Sequence, residues 1–219
     1  TAHIVFDKVQ LWRMGLVNRD ILIRSVCLQA VFMSFLFYGA AFGDVTLAAN
    51  QILLQFLYIT AHALDGFATA AETLVGQAKG RRSSAQLRRA AWMTSLWGLG
   101  ISFVTTLVFW MAGPALIDLL TTAPDVRVEA RLYLLFMVAA PLIGLASWML
   151  DGIFIGATRT KDMRNMMVLS AAIYFAAVYP LMVILENYGL WWALLLSFVL
   201  RGITLGLRYP ALERAASDR

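Results

Sequence analysis

Six apolar runs, at roughly 22–43, 47–79, 90–112, 127–157, 164–186 and 189–209, divide the sequence, and only short charged interruptions separate them. An apolar run of about 18 residues or more is the signature of a membrane-crossing helix. Hydrocarbon offers no hydrogen bonds, so a spanning segment must satisfy its backbone internally, as a helix or a closed barrel. Barrel strands alternate apolar and polar residues, and that alternation is absent here. The sequence predicts an all-α membrane protein, a six-transmembrane-helix bundle. Composition agrees: 61% of the residues are hydrophobic and 14% are charged, where a soluble domain carries about 25% charge. A soluble domain of this size has no way to hide so much apolar surface. With 5 Pro and one Cys, disorder and a disulfide scaffold are excluded, and Cys27 reads as a small core residue.

The net charge of +5 suggests nucleic acid until its distribution is read. With both ends inside, the inner segments hold Lys8, Arg13, Arg19, Arg24, Lys79, Arg81, Arg82, Arg88, Arg89, Arg159, Lys161, Arg164, Arg208, Arg214 and Arg219. The outer segments hold only Arg127 and Arg131. That asymmetry is the positive-inside pattern, so the charge sets topology and predicts no nucleic-acid partner. The expected organisation is a cytoplasmic linker or interfacial helix over 1–20, a six-helix lobe over 21–209, and a cytoplasmic tail over 210–219. Residues 4–17 mix apolar and charged side chains and suit a helix on the inner surface with Trp12 at headgroup depth. Residues 114–121 suit a similar position outside. Trp191 and Trp192 read as an outer aromatic belt, and Pro141 and Pro180 as hinges. Thr1 in place of a starting Met suggests a fragment or a processed product.

The second span carries the strongest functional signal. Gln51, Gln55, Tyr58, His62, Asp65, Thr69, Glu72 and Gly76 recur at alternating spacings of four and three, which places them on one narrow helix face. Lipid does not solvate such a stripe, so it faces protein or water. Glue between helices needs only small residues and an amide or two; two carboxylates and an imidazole point to an ion or substrate pathway. Asp65 lies near mid-membrane, where a charge costs about 2.5–3.5 kcal/mol on insertion scales, and suits a proton or cation relay. Glu72 lies nearer the inner face, and His62 is one turn from Asp65. In the fourth span Asp151 sits in the inner half, beside Gly152 and Gly156 at a spacing that favours close helix contact. In the sixth, Arg201 either reaches to the inner interface or pairs with Asp151 or Glu72; for Asp151 it is the expected partner. HExxH, GxSxG, CxxC and GxxxxGK[ST] are all absent, and His62-x-x-Asp65 is too common a spacing to signal a metal. No enzyme, metal or cofactor is predicted.

Two strings add a resemblance. LAANQILLQFLYITAHALDGFATAAETLVGQAKG (47–80) and WMLDGIFIGATRTKDMRN (148–165) closely resemble the multidrug and toxic compound extrusion (MATE) family, and within it the DinF branch. The likeness runs from about residue 18 to 209 and corresponds to helices seven to twelve of a twelve-helix transporter. The resemblance implies one of two six-helix lobes that rock about a central cavity. It implies export of small organic cations or amphiphiles in exchange for protons or Na+, with an N-terminal six-helix lobe and the lipid bilayer as partners. The stripe and Asp151 would then line the C-terminal side of that cavity. The alternatives are a flippase or exporter of lipid-linked or bile-salt-like amphiphiles, and a structural half-protein that transports nothing. The coupling carboxylate best known in the DinF branch lies on the first helix of the other lobe, and the NorM branch uses an acid on helix seven. Helix seven has no acid here between Ser25 and Gly43, so neither ion site transfers to a residue of this chain.

Overall fold

A computed structural model describes residues 8–217. The helices are α1 (Lys8–Gly39), α2 (Asp44–Gly80), α3 (Ser84–Leu120), α4 (Pro124–Gly156), α5 (Thr160–Leu185) and α6 (Asn187–Ser217), and a short 3-10 turn, Ala40–Phe42, follows α1. Among the described residues no strand occurs, and all six helices contain a stretch long and apolar enough to cross a membrane.

Four of the five reversals show a local cause. Gly43, with φ of 97°, lets the chain turn from the 3-10 segment into α2. The hydroxyl of Ser83 accepts from the backbone N–H of Gln86 and caps the start of α3. Pro124 occupies the first turn of α4, where its missing N–H has no partner to lose. Beyond the fourth span, Lys79 donates to the carbonyl of Ala157 at 2.5 Å and to the Thr158 hydroxyl, tying the end of α2 to the α4–α5 turn.

The ends depart from the expected layout. From Lys8 onward the first segment is continuous with the first span rather than a separate surface helix; residues 4–7 lie outside the described residues. Trp12 is exposed on this extension. Residues 114–120 likewise continue α3 through Pro114. A helix of 37 residues, as α2 and α3 both are, measures about 55 Å against a hydrocarbon core of about 30 Å, so both tilt or project.

Helices α2 and α4 form the centre. α3 flanks both, α6 covers α4, and α5 joins α6 to α1. Apolar contact between helices gains little over contact with lipid tails, so association rests on close packing and on hydrogen bonds. Gly152 and Gly156 provide the first. A Cβ on Gly152 would lie 2.3 Å from the Ala68 carbonyl oxygen, and one on Gly156 would lie 2.2 Å from that of Glu72. The backbones of α2 and α4 therefore touch over a full turn of each. Asn50 provides the second: it and Asn187 exchange side-chain amide hydrogen bonds at 2.7 and 3.0 Å, and the Trp191 indole donates to Asn50 at 3.1 Å. Trp191 is therefore buried, stacked at an edge against Phe35, and only Trp192 is exposed as a belt residue.

Adding a side chain at Gly152 must push α2 from α4. Overpacking of this kind costs about 1–3 kcal/mol or more, and Gly152→Val is expected to lower the thermal unfolding midpoint in detergent sharply. Gly66→Ala serves as the control, because nothing lies within 4 Å of a Cβ there, and its midpoint should stay unchanged. Equal midpoints for both would show that the α2–α4 contact does not hold the bundle.

Candidate functional site

The apolar faces of α2 turn Leu53, Leu57, Leu64, Ala71 and Val75 into the bundle. With those positions buried, helical geometry leaves the polar stripe pointing out of it. Gln51, Gln55, Tyr58, His62, Asp65, Thr69 and Glu72 are all exposed, and Gly76 is partly buried. The structure thus keeps the seven polar side chains of the stripe accessible, while Gly76 turns toward α4, where a Cβ would lie 3.5 Å from the Gly156 carbonyl oxygen. The His62 ring uses Nδ1 to bond the Tyr58 carbonyl at 2.6 Å, which leaves Nε2 free on the stripe side. Tyr58 also meets Phe32 of α1, with ring centroids 6.0 Å apart. Near one end, Gln51 and Gln55 line a shallow cavity of about 270 Å³ with Thr121 of the α3–α4 turn. Among the described residues neither Asp65 nor Glu72 takes part in an ion pair.

Asp151 is placed differently. It is buried on the far side of the α2–α4 contact, and its nearest guanidinium is that of Arg24 on α1, which bonds Oδ2. Arg201 of α6, the partner expected from sequence, stands 3.6 Å from the same oxygen. Arg201 does not reach the inner interface. It is buried, and it donates to Ser147 Oγ at 3.0 Å and to the Met167 sulfur at 3.5 Å, with its guanidinium carbon 5.9 Å from the Phe198 ring centroid. One carboxylate thus sits between two guanidiniums inside a membrane bundle, a cluster of net charge +1. The Arg24 side chain is 20% exposed, so it is the accessible member. Arg201 is the fixed one.

A second buried acid has no counterpart in the sequence reading. Asp20 of α1 is buried and accepts from Arg164 at 2.7 Å and from the Thr160 hydroxyl at 3.2 Å, which pins α1 to the start of α5. The hint in the sequence is an acid at the edge of a span, with Arg159, Lys161 and Arg164 grouped on a later inner turn. The structure therefore separates the candidate residues into two sets. The α2 stripe faces outward and unpaired, whereas Asp151 and Arg201 are enclosed with Arg24. No group of three or more His, Cys, Asp or Glu side chains among the described residues is arranged to hold a metal.

Removing one member of a buried ion pair leaves the other uncompensated and costs roughly 3–5 kcal/mol. Asp151→Asn should therefore destabilise strongly, and Arg24→Gln less, because Arg201 remains beside the carboxylate. In a double-mutant cycle on unfolding free energy, Asp151→Asn combined with Arg24→Gln should fall well short of the sum of the two. Additive losses would show that the pair is not coupled.

Comparison with known proteins matches this chain to one family. The MatE family model covers residues 21–181. The chain is 40% identical over 194 residues to DNA damage-inducible protein F of Escherichia coli (strain K12), a stretch that is 88% of this chain and 42% of that protein. It is 26% identical over 208 residues, 90% of this chain and 44% of the relative, to a probable multidrug resistance protein NorM of Pseudomonas syringae pv. tomato. A NorM protein of Pseudomonas aeruginosa is 28% identical over 183 residues, 76% of this chain and 36% of the relative. The chain spans less than half the length of these relatives.

Proposed function

Because this chain, a multi-pass membrane protein, belongs to the MatE family, we propose that it is the C-terminal lobe of a secondary antiporter that exports cationic or amphipathic compounds in exchange for protons or Na+. In this reading it works with an N-terminal six-helix lobe, in the inner or plasma membrane, with both termini in the cytoplasm.

One observation carries the reading. A helix at the centre of the bundle presents seven polar side chains, two of them unpaired carboxylates, along a single exposed face. Exposed to lipid, that face would be costly. Facing a second lobe across a wet cavity, it supplies Asp65 and Glu72 as attractors for cations, Gln51, Gln55 and Thr69 as neutral hydrogen-bonding groups, and Tyr58 as an aromatic surface for amphiphiles. Asp65 is the proposed coupling group. Deep in the span, with the His62 ring one turn away, it can hold a proton or a cation from one side and release it to the other. Asp151, held between two arginines, is assigned a role in holding α1 against the lobe.

The lobe expressed alone should be inactive in drug-efflux assays and unstable in detergent, and co-expression with a matching N-terminal half should restore both. Full efflux by this chain alone would overturn the two-lobe reading. In the complete transporter, Asp65→Asn should abolish most substrate-induced proton release while expression stays normal. Unchanged release and efflux would make Asp65 structural.

Orientation has its own test. Single cysteines at 82 or 161, in a Cys27→Ser background, should resist a membrane-impermeant thiol reagent applied from outside. Labelling from outside would reverse the topology.

A further inference from the structure

A groove between α2 and α3 ends in arginines. Leu74, Ala78, Ala90 and Met93 wall it, Arg81 and Arg89 stand at its mouth, and it encloses about 250 Å³. Gln77 and Gln86 complete the lining, and no acidic residue takes part. Arg81 has one weak contact, to Gln86 Oε1 at 3.5 Å, and Arg89 has no ion pair among the described residues. Three other arginines at this end are committed: Arg88 bonds Glu213 at 2.7 Å, Arg164 bonds Asp20, and Arg159 donates to the Ala211 carbonyl. The groove mouth therefore concentrates positive charge that the lobe does not neutralise.

Its direction is fixed by helical geometry. At about 100° per residue, Leu74, Gln77 and Arg81 lie roughly 200°, 140° and 180° around α2 from Glu72. The groove thus opens on the flank of α2 opposite the polar stripe. On its other wall, α3 exposes Met93 and, one turn on, Trp97, a surface suited to lipid rather than to a wet cavity or a second polar lobe. An apolar slot beside exposed apolar side chains of α3, with two guanidiniums that have no ion pair among the described residues, suits an amphiphile with an anionic head.

We propose that the α2–α3 groove is a binding site for an anionic phospholipid. The headgroup phosphate sits between Arg81 and Arg89, each guanidinium offering paired N–H donors to phosphate oxygens, and the first methylenes of one acyl chain lie along Leu74, Ala78, Ala90 and Met93. Basic recesses between membrane helices bind acidic headgroups in this manner. The site does not depend on the transport reading, because it lies on the opposite side of α2 from the residues that reading uses. With both termini inside, as proposed above, it lies in the cytoplasmic leaflet.

The test measures lipid retention. The chain, with its partner lobe, is reconstituted in phosphatidylcholine containing a minor share of phosphatidylglycerol, and native mass spectrometry counts the lipids it keeps on release into detergent. Each arginine near a membrane surface is worth about 1 kcal/mol toward an acidic lipid, about fivefold in affinity, so Arg81→Gln with Arg89→Gln should weaken retention of phosphatidylglycerol by roughly thirtyfold. Arg208→Gln with Arg214→Gln removes the same charge from the same end outside the groove and should leave retention intact. Ala90→Phe fills the slot without changing charge and should also release the lipid. Equal losses from both arginine pairs would reduce the effect to general surface charge and overturn the site, as would retention of phosphatidylcholine at the same level. Protection of the thermal midpoint by inorganic phosphate alone would make it a free-anion site instead.

Discussion

The contact of α2 with α4 at Gly152 and Gly156 is the constraint on which the rest of the lobe depends. In a bilayer, burying one apolar side chain against another gains little over leaving it in lipid, so two long helices stay together only where they approach closely or bond. The glycines remove the side chains that would hold the backbones apart, and the carbonyls of Ala68 and Glu72 fill the space. That one turn of contact fixes the rotation of both helices. Once Ala68 faces α4, Asp65, Thr69 and Glu72 are committed to the open side, and once Gly152 faces α2, Asp151 is committed to the enclosed side, toward α1 and α6.

The two sets of charges are therefore consequences of a single packing choice, and they obey different electrostatics. Arg24, Asp151 and Arg201 sit where few waters reach, and their mutual attraction is weighed against a large desolvation cost. The surplus guanidinium makes that balance worse unless one arginine keeps some access to solvent, as Arg24 does with its side chain 20% exposed. Arg201 needs other compensation, and it has the Ser147 hydroxyl, the Met167 sulfur and the Phe198 ring. Among the described residues Asp65 and Glu72 have no such supports, and two unpaired carboxylates are cheap only where water reaches them.

Much of this was legible in sequence because it is periodic. Span number follows from apolar run length, and the stripe follows from a spacing of four and three, which no packing detail can alter. The glycine spacing on α4 was legible for the same reason. What sequence reading missed depends on which helices cross at which depth. Arg24 and Asp151 are 127 positions apart, and nothing local in either segment says that α1 passes α4 there. Arg24 reads equally well as a topological charge at the edge of a span. Asp20 with Arg164 and Asn50 with Asn187 are hidden in the same way. Trp191 is a different kind of miss, since its signal was present. Adjacent helical residues point about 100° apart, so Trp191 and Trp192 need not share an environment. Asn187, one turn before Trp191, marks which of the two turns inward to the polar node with Asn50.

Helix α2 consequently meets three environments at once: the tight apolar seam through Ala71 and Val75, the carboxylate face through Asp65 and Glu72, and the flank that ends at Arg81. The last two are about half a turn apart, so negative and positive ends of the same helix look in opposite directions. A rotation of α2 by even one residue would bring Glu72 toward the seam and Arg81 toward the stripe, placing a carboxylate in apolar packing and a guanidinium beside the exposed carboxylates. Both changes are costly. The glycine seam that sets the rotation therefore governs more than cohesion. It keeps the acidic face clear of arginine, so Asp65 and Glu72 are not neutralised from within their own helix.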